Sequence, residues 1–123
     1  MGGEAISLDS LSLARLACEA MREKKCENPL VFDVRKVSTV TDYYVVASGA
    51  SPPQLKAMFD EVLHALKSEG AACYRRCGDA ETGWMILDYV DVVIHILSAD
   101  ARNYYAIEDL WGPPLPMEWR RRP

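Results

Sequence analysis

The 123-residue chain has few of the features that mark secreted or membrane proteins. Its longest apolar runs are strand-sized, well short of the ~20 residues that a membrane span requires. Its first residues lack the basic, apolar and small-residue order of a signal peptide. The four cysteines include no Cys-x-x-Cys pair, so we expect reduced thiols. The composition therefore predicts a cytoplasmic protein without a membrane span.

The chain also lacks an excess of basic residues, since its formal net charge is −4. A protein that binds the phosphate backbone normally presents a basic face, so the charge balance argues against that function. An acidic protein can still bind the basic proteins of a nucleoprotein particle. The basic cluster at residues 120–122 lies in a Pro-rich tail, a pattern more typical of a solvated chain end.

No catalytic or metal-binding motif is complete in the sequence. Cys73 and Cys77 with His64 or His95 match no common spacing of a structural zinc site. Neither histidine lies in a nucleophile motif, and Gly-x-Ser-x-Gly is absent. His95 is as well explained by a structural role beside Trp84. We therefore expect no metal and no cofactor.

Hydrophobic periodicity predicts a single α/β domain with one mixed sheet of about five strands and helices packed on it. The predicted helices cover residues 10–24, 52–70 and about 100–111. The predicted strands are centred on residues 30–32, 43–47 and 73–75, with two more within residues 83–97. The first two strands are almost continuously apolar, which favours central positions in the sheet that are covered on both faces.

The best-defined junction joins the second strand to the second helix. Ser51 is a predicted N-cap, Pro52 takes the first helical position, where a missing N–H is not needed, and Gln54 completes a capping box. Gly70 is the predicted C-terminal stop. The apolar stripe between these signals is almost unbroken, and we interpret it as core.

The hairpin over residues 83–97 organises the rest of the chain. If Asp88 and Asp91 face each other across its corner, Trp84 lies opposite His95, because cross-strand partners keep a constant index sum. One face then combines aromatic, aliphatic and acidic side chains, namely Trp84, Ile86, Asp88, Asp91, Val93 and His95. The other face is apolar throughout and carries Met85, Leu87, Val92, Ile94 and Ile96.

This mixed face favours docking on a basic protein surface. Two close carboxylates repel each other unless a cation approaches, so an Arg or Lys of a partner would bind at Asp88 and Asp91. Trp84 would add the broad apolar contact of an interface anchor. From the residues alone, a turn with two solvated carboxylates is an equally good interpretation.

The alternative function is a metal-dependent nucleotidyltransferase, with Gly49, Ala50 and Ser51 before a helix N-terminus and Asp88 with Asp91 as metal ligands. Such enzymes place their acidic pair soon after the Gly-Ser turn, two residues apart on one strand. Here the acidic pair lies far along the chain and flanks a turn. The Gly-Ser loop has no basic side chain to hold a phosphate, so we expect no enzyme.

Four groups of residues follow one another in a characteristic order and spacing. They are Thr41-Asp42-Tyr43-Tyr44-Val45-Val46-Ala47-Ser48-Gly49-x-Ser51; Gln54; Gly83-Trp84-x-x-x-Asp88-Tyr89-x-Asp91-Val92-Val93-x-His95; and Arg102-x-Tyr104-Tyr105-x-x-Glu108-x-Leu110-Trp111. Together they closely resemble the ribosomal silencing factor family, also called RsfS or Iojap, over residues 8–111. We expect a family domain over residues 8–112, after a disordered start at 1–7 and before a Pro- and Arg-rich tail at 113–123.

The resemblance also implies a function. Members of this family bind ribosomal protein number fourteen on the large subunit, block joining of the small subunit and lower translation when nutrients are scarce. Their fold is similar to a nucleotidyltransferase core without its catalytic site. The resemblance implies partner contacts by Trp84, Asp88, Tyr89, Asp91 and His95. Secondary or structural roles fall to Asp42, Tyr43, Ser51, Arg102 and Tyr105. An exposed patch of this kind also favours a homodimer off the ribosome.

Two positions depart from the family pattern. Val90 stands where the family usually has Gly, between the aromatic residue and the second Asp of the corner. Cys77 stands where Glu is common, ahead of Gly78. The first departure bears on the geometry of the corner, and the second removes a carboxylate that could contact the partner.

Overall fold

The computed structural model describes residues 9–116 and shows an α/β fold with one mixed sheet, so the predicted fold class is confirmed. The helices are α1 (Ser10–Glu23), α2 (Pro52–Ser68) and α3 (Ala99–Tyr105), followed by a 3₁₀ helix over Ile107–Leu110. The strands are β1 (Glu27–Asp33), β2 (Tyr43–Gly49), β3 (Arg75–Asp79), β4 (Trp84–Asp88) and β5 (Val92–Ser98). The predicted disordered start and the basic cluster at 120–122 lie outside the described residues. Within residues 9–116, no helix has the length and apolar character to cross a membrane.

The strand order in the sheet is β1-β2-β5-β4-β3. β2 and β5 run parallel in the middle of the sheet, and the other neighbours are antiparallel. A parallel pair needs a long crossover connection, which α2 and the β3–β4 hairpin provide. The corner between β4 and β5 therefore lies at the same end of the sheet as the start of β2.

Two apolar cores lie on the two faces of the sheet. α1 and α2 cover one face with the larger core, in which Met21, Val45, Met58 and Ile94 are buried. The opposite face, which we call the open face, is only partly covered by α3 and the 3₁₀ helix. Its smaller core consists of Phe32, Val34, Val46, Leu97 and Ile107.

β1 is an edge strand, so its predicted central position is wrong, whereas β2 is central as predicted. β1 is nevertheless apolar on both faces, because Val31 packs in the larger core and Phe32 in the smaller one. Its outer edge is also partly covered, since the Leu115 backbone N donates to Val31 O at 2.8 Å. A covered edge strand therefore has the same apolar pattern as a central strand.

The third strand lies at Arg75–Asp79 and not at residues 73–75 as predicted. All five of its residues are exposed, so it has none of the apolar signal by which strands are found in a sequence. Its position is set by antiparallel pairing with β4, in which Arg75 lies opposite Asp88 and Asp79 opposite Trp84.

The helix ends follow their capping residues, with two corrections. The Ser51 hydroxyl accepts the Gln54 N–H at 3.3 Å as predicted, but the Gln54 side chain accepts the N–H of Ala50 and not that of Ser51. Ser98 caps α3 through the Ala101 N–H. The last helix was predicted to continue to residue 111, but it ends at Tyr105. Ala106 there takes a left-handed φ of 49°, and a 3₁₀ turn follows.

Candidate functional site

The β4–β5 hairpin places its side chains on the predicted faces, but in a different register. Asp88 pairs with Val93 and Trp84 pairs with Leu97, so the predicted pairing of Asp88 with Asp91 is wrong. The observed register is shifted by two residues, and a shift of two keeps each side chain on its face. The open face therefore carries Trp84, Ile86, Asp88, Val93 and His95.

The corner of the hairpin is a tight turn held by three hydrogen bonds. Tyr89 N donates to Val92 O at 2.8 Å, and Asp91 N donates to Tyr89 O at 2.9 Å. The Asp88 carboxylate accepts the Val90 N–H at 2.8 Å. Val90 has a φ of 73°, in the left-handed region that favours glycine. The turn thus has a conformation that suits the glycine usual in the family, although the residue is valine.

The two acidic residues of the corner have different surroundings. Asp88 is half-buried, and its carboxylate lies 3.5 Å from the Arg75 guanidinium of the neighbouring β3. Asp91 is exposed, and its backbone oxygen accepts the N–H groups of Asp42 and Tyr43. The sequence reasoning missed Arg75 because it ended the third strand there. Correct placement of β3 would have put this cation opposite Asp88.

Trp84 and His95 are joined by a hydrogen bond on the open face. The indole Nε1–H of Trp84 donates to His95 Nδ1 at 3.1 Å. His95 is buried, and its burial lowers the pKa of the imidazole to about 4, so the ring is neutral at neutral pH. Its other nitrogen, Nε2, therefore carries the proton and has no hydrogen-bond partner among residues 9–116. This geometry gives His95 a supporting contact to the Trp84 indole.

Trp84 and His95 belong to a continuous cluster of five aromatic side chains. Tyr44 stacks on Trp111 with ring centres 4.1 Å apart, and Trp111 lies 5.5 Å from His95. Tyr105 lies 4.8 Å from Trp84. We call this set the aromatic cluster: Tyr44, Trp84, His95, Tyr105 and Trp111. Sequence reasoning did not assign Tyr44 or Trp111 to the site, although the strand alternation places Tyr44 on the face opposite to Tyr43.

Two of the predicted site tyrosines lie on the other side of the sheet. Tyr89 is only 7% exposed and packs in the larger core, where burial raises the pKa of its hydroxyl. Tyr43 is also buried, with the Arg35 guanidinium 5.4 Å from its ring centre. Asp42, half-buried, accepts a hydrogen bond from Ser10 at 2.8 Å. These residues hold the chain around the corner and present little surface for contact.

Arg102 fixes α3 and the 3₁₀ helix to the sheet. It is 6% exposed, and its Nε lies 3.2 Å from the Glu108 carboxylate. Its Nη1 donates to Asn28 O at 2.8 Å and to Ser48 Oγ at 3.2 Å. Because Trp111 follows the 3₁₀ helix directly, this network holds one wall of the aromatic cluster in place.

The alternative enzyme site is not assembled in this fold. Ser51 follows the carboxyl end of β2, whereas Asp88 and Asp91 lie beside its amino end, where Tyr43 pairs with Val92. A strand of this length separates the two positions by about 20 Å. The Ser51 hydroxyl is also engaged as an N-cap. Among the described residues, no group of three or more His, Cys, Asp or Glu side chains is placed to hold a metal.

The open face therefore combines an apolar, partly exposed centre with acidic groups at one end. Trp84, Tyr44 and Trp111 are half-buried, and Tyr105 is 53% exposed. Aromatic side chains with such partial exposure are typical anchors of protein interfaces. This arrangement is suited to binding a basic and partly apolar protein surface.

Known proteins with this fold define the class. A family model described as "Ribosomal silencing factor during starvation" matches residues 7–121. The Ribosomal silencing factor RsfS of Bacillus subtilis is 31% identical over 105 residues, which cover 85% of this chain and 89% of the relative. A crystal structure of a Chromobacterium violaceum protein has a TM-score of 0.83 at 31% identity, covering 89% of this chain and 91% of that chain. The mouse protein named Mitochondrial assembly of ribosomal large subunit protein 1 is 28% identical over 94 residues, which are 74% of this chain and 41% of that protein.

The fold, the family model and the relatives together identify the class as small regulatory α/β proteins associated with ribosomes. The chain belongs to the ribosomal silencing factor family. The family match continues to residue 121, beyond the predicted domain end at residue 112. Leu115, in the predicted tail, also packs against the larger core.

Proposed function

We propose that this protein binds the large ribosomal subunit through ribosomal protein number fourteen and sterically blocks joining of the small subunit. Translation would thereby be repressed under nutrient limitation, without catalytic turnover. Family membership supports silencing, and the name of the mouse relative refers to the large ribosomal subunit. The docking site is supported by one observation above all: Trp84 and Asp88 lie together on the open face, which is incompletely covered.

The contacts divide between the two parts of this face. Trp84 and its neighbours in the aromatic cluster would bury apolar surface of the partner, and Tyr105 extends that surface onto α3. Asp88 and Asp91 would pair with Arg or Lys, with Asp91 the more accessible of the two. Tyr89 and His95, being buried, would contribute by holding the corner and the Trp84 indole in place.

The open face would also allow two copies to associate when no ribosome is bound. Exposed Tyr104 packs against Tyr105 of the aromatic cluster, and exposed Leu110 directly precedes Trp111, so both extend the apolar area of the cluster. A homodimer in which the copies cover each other's open faces would be displaced by the ribosomal partner. Light scattering over a concentration series tests this, and a monomer throughout would rule out the dimer. The place of action would be the cytoplasm, where the ribosomal partner is found.

The anchor role of Trp84 is testable by substitution. Trp84→Ala should weaken binding to the isolated large-subunit protein by about 2 kcal/mol or more, because it removes the central aromatic contact. Calorimetric titration of the folded variant measures this loss.

Tyr74→Ala provides the matched control, since Tyr74 is an exposed aromatic residue outside the aromatic cluster. This variant should bind as the original chain does. Unchanged affinity of a folded Trp84→Ala variant, or an equal loss in both variants, would remove Trp84 as the anchor.

A further inference from the structure

A groove of about 460 Å³ lies on the helix-covered side of the sheet, away from the open face. It runs between the second half of α2 and the segment that leads into β3. Its volume is within the range of small-molecule sites, roughly 300–1,000 Å³. The lining residues are Asp60, Leu63, His64, Lys67, Ala71, Ala72, Cys73 and Arg76.

The groove is positively charged although the whole chain is acidic. Within residues 9–116, the side chains of His64, Lys67 and Arg76 have neither an ion pair nor a hydrogen bond. The one acidic lining residue, Asp60, is already paired with Lys56 at 2.9 Å. Lys67 lies in the last turn of α2, where its charge offsets the negative end of the helix dipole. His64 and Arg76 are therefore the two basic residues of the groove for which the fold shows no other role.

The floor of the groove is apolar, and a buried hydroxyl that has no hydrogen bond within residues 9–116 interacts electrostatically with two of the lining residues. Leu63, Ala71 and Cys73 pack against the larger core. The Tyr89 hydroxyl is buried without a hydrogen-bond partner in the described part of the chain. It lies within electrostatic reach of Cys73 and Arg76, both lining residues. Buried polar groups normally have a hydrogen-bond partner, and this hydroxyl lacks one among the described residues.

We propose that this groove binds a small organic anion of mononucleotide size, with a phosphate group on an apolar or aromatic body. Arg76 and Lys67 would hold the phosphate, because guanidinium and ammonium groups form strong charge-assisted hydrogen bonds with it. His64 would add a third donor, and the floor formed by Leu63 and Ala71 would cover the ring. The phosphate could come from a free nucleotide or from a nucleic-acid strand.

Amide chemical shifts of the full chain during titration test the site. Adenosine 5′-monophosphate is one probe, and a short single-stranded RNA without a terminal phosphate is the other. Saturable shifts confined to residues 60–76 are expected with at least one probe. Arg76→Gln should weaken that binding about tenfold or more, because it removes the charge that holds the phosphate.

Lys36→Gln is the control, since Lys36 is exposed in the β1–β2 loop, away from the groove. It should leave the affinity unchanged. Saturation by the monophosphate assigns a free phosphomonoester, and saturation by the RNA alone assigns a strand phosphate. No saturable shifts with either probe, or equal weakening by both variants, would overturn the proposal. Binding to the large subunit should be the same for Arg76→Gln and the original chain, so this test is independent of the docking proposal.

Discussion

Val90 has a backbone conformation that a β-branched residue rarely adopts, with a φ of 73°. Its side chain is 51% exposed, so little burial is lost when it is removed. Val90→Gly should therefore raise the free energy of unfolding by about 1 kcal/mol, because glycine relieves the strain. Urea unfolding measures the change.

A matched valine shows whether the gain comes from the backbone. Val40 is 76% exposed in a loop and does not have a positive φ. Val40→Gly should not stabilise the protein, because it only adds freedom to the unfolded chain. A Val90→Gly variant no more stable than the Val40→Gly variant would show that the corner is not strained.

His95 should make the stability fall in mild acid. Its pKa is about 4 in the folded protein and 6.5 in a model peptide, so the unfolded chain binds the proton more readily between these values. The stability that this group contributes is present above pH 6.5 and is lost as the pH falls toward 4. The loss between about pH 7 and pH 5 should be roughly 2 kcal/mol.

Urea unfolding of His95→Gln at both pH values isolates this contribution, since Gln can accept the Trp84 N–H but does not titrate. The fall in the free energy of unfolding between about pH 7 and pH 5 should be smaller in this variant by roughly 2 kcal/mol. His64→Gln, the same change at an exposed position of α2, is the control. If His95→Gln and the original chain have equal pH dependence, the imidazole is not the titrating group.

For single residues, the sequence predicted which face of the sheet a side chain occupies but not how deeply the side chain is buried. Strand alternation placed Trp84 and Asp88 together correctly. It could not show that Tyr89 leaves the strand and turns into the larger core, because that depends on the corner conformation. The predicted register of β4 and β5 was wrong because the length of the turn, and not the alternation of side chains, sets the register. Nothing in the sequence indicated the tight turn, because valine stands at the position with positive φ, where glycine is usual.

Among the elements, α3 and the 3₁₀ helix depend most on a single residue. Arg102 is 6% exposed and bonds to Glu108, to a β1 carbonyl and to Ser48. Arg102→Ala should lower the free energy of unfolding by about 3 kcal/mol or more, because Glu108 and a buried carbonyl lose their partner. Urea unfolding measures the loss. Tryptophan fluorescence should change as well, because Trp111 is part of the displaced wall of the aromatic cluster.

Arg35→Ala is the control for this prediction. Arg35 forms an ion pair with Asp33 at 2.7 Å, but it is exposed to solvent. Exposed ion pairs contribute little to stability, so this variant should stay close to the original chain. Similar losses in the two variants would contradict the role of Arg102.

Elements with their own local signals were predictable, and elements defined by their partners were not. Ser51 and Gly70 marked the ends of α2, because caps and stops are encoded by a few adjacent residues. β3 had no such signal, since its five exposed residues are ordered by pairing with β4. The break at Ala106 was missed because its left-handed conformation is imposed on a residue that favours helix.

In the whole molecule, the two faces of the sheet differ in how completely they are covered. α1 and α2 bury one face and provide most of the core. The open face keeps an incomplete cover, with the aromatic cluster at its centre and the acidic corner at one end. Sequence reasoning found both parts of this face, but only the fold shows that Tyr44 and Trp111 complete the cluster.

Co-sedimentation with isolated large subunits, small subunits and joined ribosomes tests the central claim most directly. We expect the chain to sediment with free large subunits only, because its docking surface on them would be covered after joining. Asp88→Lys should abolish this binding by placing a cation against a basic partner. Asp60→Lys, the same change on an exposed position of α2, should leave it intact. Sedimentation with small subunits, failure to sediment with large subunits, or equal binding by the folded Asp88→Lys variant would contradict docking through the open face.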